Sequence, residues 1–177
     1  MNKSFSSKKN HRFVSRLAKL SVLSALSAVL SMLEGMLPEL PVPGARFGLA
    51  NLAVMTAIDI DGLAGGICVS VVKAGFGLIT RGPTAGFMSL CGSLLSTFVM
   101  WLVYKYDNNI FGYVGVGVLG AAAHNAGQLC AAFVLMGSAV WYYVPFLLLV
   151  STVSGSLTGV INSILLPAVR GTQHHSS

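Results

Sequence analysis

Seven residues of an otherwise apolar chain carry groups able to grip a polar molecule: Glu34, Arg46, Asn51, Lys73, His124, Asn125 and Gln128. Arg46 and Lys73 are cations suited to an anionic group. Asn51, Asn125 and Gln128 offer amide donors and acceptors, and His124 adds an imidazole. His124 and Gln128 stand four residues apart and share a helical face, while Asn125 lies about 100° round from His124, so all three can line one pocket. Ionisable groups at bilayer depth cost ~2.5 to 3.5 kcal/mol each on insertion scales, and those that persist usually face a cavity or a partner. Together the seven suit a ligand with an anionic or strongly polar head, with Glu34 holding one of the bases in place. The competing reading is structural: the amides and imidazole bond neighbouring helices, and Glu34 neutralises Arg46 or Lys73.

The elements that position these residues follow from composition. The chain is 54% hydrophobic and only 9% charged, which makes the bilayer its main solvent. Apolar runs predict helices over 14–37, 48–60, 63–80, 85–104, 111–136 and 141–168. The expected fold is an all-α integral membrane protein, a bundle of about six transmembrane helices at 14–168, between a basic tail (1–13) and a polar tail (169–177). The second helix is short for a span. It follows Pro38, Pro41, Pro43 and Gly44, which break regular helix, so it is expected to re-enter or to cap a cavity.

Lys3, Lys8, Lys9, Arg12, Arg16 and Lys19 crowd the N-terminus. Basic residues near helix ends stay cytoplasmic, which puts both termini, the Asp59–Gly62 loop and the 104–109 loop inside, and Arg81–Thr84 outside a cell (inner) membrane. Arg46 and Arg81 then lie outside against eight basic residues inside, with Lys73 within a span. A secretory signal peptide is the rival reading of the first segment, but its apolar run continues to Leu37 without a clear cleavage site. Nucleic-acid binding is not expected, since only Phe5 and Phe13 interleave the basic cluster.

Small residues recur at Ser21, Ser24, Ala25 and Ala28 and again at Ser151, Gly155, Gly159 and Ser163, spacings that let helices approach closely within the chain or dock a partner. Of the two, the first-helix stripe is the better docking candidate. Cys68, Cys91 and Cys130 occupy separate apolar segments without metal-ligand spacing, and His174 and His175 fall in the polar tail. No metal or cofactor site is expected. Walker A, GxSxG and HExxH motifs are absent, and Asp59 with Asp61 reads as a helix-boundary pair, so the chain is expected not to be an enzyme.

At Pro41-Val42-Pro43-Gly44-Ala45-Arg46-Phe47-Gly48-Leu49-Ala50-Asn51 and at Ala123-His124-Asn125-Ala126-Gly127-Gln128 the sequence resembles the Gx transporter family, many of whose members are labelled heptaprenyl diphosphate synthase component I. The resemblance covers residues 17–168. That family in turn resembles the S-components of energy-coupling factor (ECF) transporters, six-helix proteins that bind vitamins or other micronutrients. The resemblance implies a substrate-binding importer subunit working with a transmembrane T-component and two ATPases, docked through small residues of its first helix; Ser21, Ser24, Ala25 and Ala28 keep the usual alanine spacing only in part. Arg46 stands where the first motif often has lysine, a change that keeps the charge and alters its geometry. The label implies an alternative: a non-catalytic membrane partner of a soluble prenyl diphosphate synthase making a quinone side chain.

Overall fold

The computed structural model describes residues 3–36, 47–106 and 111–174. Within them the chain forms five long helices: α1 (Lys3–Gly35), α2 (Asn51–Arg81), α3 (Pro83–Tyr106), α4 (Gly112–Met136) and α5 (Val144–His174), with a 3-10 turn over Ser138–Tyr143 before the last. Five stretches are long and apolar enough to cross a membrane, and they mark a multi-pass membrane protein. The 24 residues of α3 give about 36 Å, more than the ~30 Å hydrocarbon core. α1 begins at Lys3, so the basic segment continues the first helix.

Separate helices over 48–60 and 63–80 were expected; the structure runs them together as α2 and reverses the chain at Gly62. There φ is 66° and ψ is −157°, a conformation readily open only to glycine. The hydrogen bond from Lys73 Nζ to Asn51 Oδ1 at 2.9 Å establishes the reversal. In a straight helix these residues would lie about 33 Å apart. Two arms therefore lie side by side, 51–61 and 63–81, and a Cβ on Gly66 would fall 2.5 Å from the Ile58 side chain.

α1 packs only against α2 among the described elements. Its contacts pin the hairpin at both ends. Arg16 pairs with Asp61 at 2.6 Å beside the Gly62 turn. At the other end Glu34 Oε1 accepts from the Ala50 backbone N–H at 3.0 Å, and Arg81 donates to Ser31 Oγ at 2.9 Å. The Gly62 turn thus shares an end of the bundle with the basic N-terminal segment, and Arg81 lies at the opposite end.

Aromatic residues mark both ends, as expected at membrane interfaces. Trp101, Tyr104 and Tyr106 close α3, with Lys105 4.9 Å over the Trp101 ring, while Trp141 and Tyr142 are exposed on the 3-10 turn. Two apolar clusters fill the interior. One, near the Gly62 turn, holds Leu23, Met55, Ile58, Val69, Met100 and Val116. The other holds Met88, Leu129, Ala132, Val140, Leu147 and Val150, with Phe47 packed against it.

The second small-residue stripe is consumed inside the chain. A Cβ on Gly155 would lie 2.5 Å from Val118 Cα, and one on Gly159 2.5 Å from Val114 Cα, so α4 and α5 meet backbone to backbone. The first stripe divides. Ser24 is buried on the inward face with Ser27, Ser31 and Glu34, Ala28 is half-buried, and Ser21 and Ala25 are exposed.

Candidate functional site

The hairpin of α2 and a close approach of α3 to α4 bring the intramembrane polar residues together. Asn51 opens the first arm, Lys73 lies on the second, and His124 and Gln128 share one face of α4; all four are buried. The approach rests on two glycines. A Cβ on Gly127 would lie 2.7 Å from the Cys91 carbonyl oxygen, and one on Gly92 2.8 Å from Gln128 Cγ and 2.9 Å from His124 Cε1. No other residue lets α3 come so near.

His124 is 1% exposed, hydrogen-bonds the Gly92 backbone, and lies within electrostatic reach of Lys73. Its Nδ1 has no partner, nor does Asn51 Nδ2, whose sister oxygen takes the Lys73 proton. Gly48 completes the contact: with φ at 86°, it sits so that a Cβ would fall 3.3 Å from Asn51 Nδ2 and 3.4 Å from His124 Cδ2. Cation, amide and imidazole thus meet around one glycine. A buried donor or acceptor left unpaired costs about 1 to 3 kcal/mol, and two in contact with the same glycine point to a missing partner.

Glu34 plays a part that the sequence did not suggest. One carboxylate oxygen caps the start of α2 through the Ala50 N–H, where the positive end of the helix dipole favours a negative charge. Its other oxygen is buried without a partner. Asn125 faces a different neighbour. Its Nδ2 donates to Ser151 Oγ at 2.7 Å and to the Leu147 carbonyl at 3.2 Å, tying α4 to α5, while its Oδ1 has no partner. Arg46 lies outside the described residues, as do Pro38, Pro41, Pro43, Gly44 and His175.

Sequence reasoning missed Gly48, Gly92 and Gly127 as site-forming residues. Their one signal was glycine inside or beside an otherwise helical apolar pattern, which often marks close backbone approach. Cys68 and Cys130 are exposed and Cys91 half-buried, apart from the cluster's polar atoms. Asp61 is engaged by Arg16, in keeping with a helix-boundary role.

Beside the cluster lies an apolar groove of about 310 Å³, walled by Phe47 and Leu49 on one side and by Leu149, Val150, Val153, Ser154 and Leu157 of α5 on the other. The family model for heptaprenyl diphosphate synthase component I matches residues 23–165, which take in every described residue of the cluster. Neither a curated relative nor a solved structure matches the chain.

Proposed function

The chain belongs to the heptaprenyl diphosphate synthase component I family, and on that premise we propose that it is a non-catalytic, membrane-embedded binding subunit of an ECF-type importer, which captures a small polar-headed micronutrient or isoprenoid precursor. One observation carries this reading: Lys73, Asn51 and His124 meet at depth in the bundle with Asn51 Nδ2 and His124 Nδ1 unpaired. A bundle held together only by packing has no need of an amine at that depth.

In this reading Lys73 and Arg46 pair with anionic groups, Asn51 and Gln128 orient the head, and His124 supplies a donor or acceptor through Nδ1. Glu34 fixes the start of α2, and Asn125 braces α4 against α5. The termini and the Gly62 turn are cytoplasmic, and the two arms of α2 count as two of six membrane segments, the first arm being too short to cross alone. The binding cluster then lies in the outer half. The exposed Ser21–Ala25 face of α1 docks the T-component, which the two ATPases drive.

The family's name favours a second reading, in which the same subunit holds a soluble prenyl diphosphate synthase at the bilayer. Purification of the chain from its host followed by native mass spectrometry separates the two. Co-purified energy-coupling subunits with a retained small molecule support the importer; a synthase held to an empty chain supports the second reading and overturns the first.

A further inference from the structure

The polar cluster and the apolar groove are separated by one residue. Phe47 and Leu49 line the groove, and Gly48 between them lies against Asn51 and His124. A side chain at position 48 would fill the space where the two regions meet, and its positive φ also keeps it glycine. On the far wall, Asn125 next to His124 holds Ser151, and Val150, Val153 and Ser154 of the same helix line the groove. The groove is apolar except for the buried hydroxyl of Ser154, and its size is at the lower end for a small-molecule site.

Resting on the binding reading above, we infer that the ligand is a single-chain amphiphile with a phosphate-bearing head. Its hydrocarbon tail passes Gly48 into the groove between Phe47–Leu49 and α5. Lys73 and the open Asn51 Nδ2 suit phosphate oxygens, which accept several hydrogen bonds at once. A compact, wholly polar molecule would leave the adjoining groove unused, whereas a prenyl-type chain of a few isoprene units fills it. An ordinary bilayer lipid, entering by its acyl chain alone, would have no use for the cluster.

The test compares farnesyl diphosphate with inorganic diphosphate, binding each to the full chain in lipid nanodiscs, with the Lys73→Ala protein as the background for partitioning. The expected result is saturable binding of both, with farnesyl diphosphate tighter by 100-fold or more. Val153→Trp, on a largely exposed groove residue that the fold tolerates, brings farnesyl diphosphate to within about threefold of inorganic diphosphate, whose own affinity stays unchanged. Equal affinities in the unaltered protein, or a Val153→Trp protein that keeps the tail's advantage, overturn the amphiphile and leave the head site standing. Saturable binding of neither probe overturns the head site and the amphiphile with it.

Discussion

Two polar regions inside the same bundle are built on opposite plans. Towards the Gly62 turn, Thr56 Oγ1 donates to Asn162 Oδ1 at 2.8 Å, Asn162 Nδ2 reaches the Leu52 carbonyl, Ser70 and Thr97 share a hydrogen bond at 2.7 Å, and Ser96 donates to the Gly120 carbonyl at 2.8 Å. These contacts are short-range, neutral and closed among themselves. In the region around Gly48 the groups are longer, one is a cation, and Asn51 Nδ2, His124 Nδ1 and Glu34 Oε2 are left open. Helices in lipid gain little from hydrophobic association with one another, so closed hydrogen bonds between small residues serve to hold the bundle. Open, ionisable groups are poor cement and good receptors. The difference separates what the chain needs to stand from what it needs to bind.

Substitutions can break that division, and the largest effect belongs to the glycine contact between α4 and α5. Gly155→Val drives a branched side chain into the Val118 backbone; we expect a loss of about 3 kcal/mol or more, read as loss of monodisperse protein on size exclusion in detergent. Lys73→Ala comes next and acts on binding: one charge-assisted hydrogen bond, worth about 1.5 to 3 kcal/mol, predicts a 10- to 100-fold weaker affinity for the retained molecule by titration. Asn162→Ala acts on stability instead. Stranding the buried Thr56 hydroxyl and the Leu52 carbonyl should cost about 1 to 3 kcal/mol in thermal unfolding, with affinity unaltered. Smallest is Asn125→Ala, which gives up an interhelical bond of about 0.6 kcal/mol; a small drop in melting temperature with affinity held within about threefold would place it with the braces.

The sequence disclosed the solvent, the helical class and the polar residues of the site, because each rests on residue type and a period of about 3.6. It did not disclose how those residues meet. The reversal at Gly62 needs the pairing of Asn51 with Lys73, a contact between residues 22 apart in sequence, which no local pattern encodes. Gly92 and Gly127 act by lacking a side chain, so their role appears only once two backbones are seen to touch. Asn125 was indistinguishable from His124 by spacing; only the position of α5 sends its amide to Ser151. Glu34 read as a counter-ion for a base, and the start of α2 instead claims one of its oxygens. The second small-residue stripe was legible as a contact surface, and the structure supplies its partner in α4.

The central claim, that the open cluster exists to bind and not to hold the fold, is tested most directly on Lys73 itself. Lys73→Met keeps the length of the side chain and removes the charge, and its thermal unfolding should be measured beside that of the unaltered chain and of Asn162→Ala, each freed of ligand. The account predicts that Lys73→Met melts at or above the unaltered chain while Asn162→Ala melts lower, since a buried amine kept for function is replaced by an apolar side chain without loss. A Lys73→Met protein that loses as much stability as Asn162→Ala would make the amine a structural member and contradict the claim.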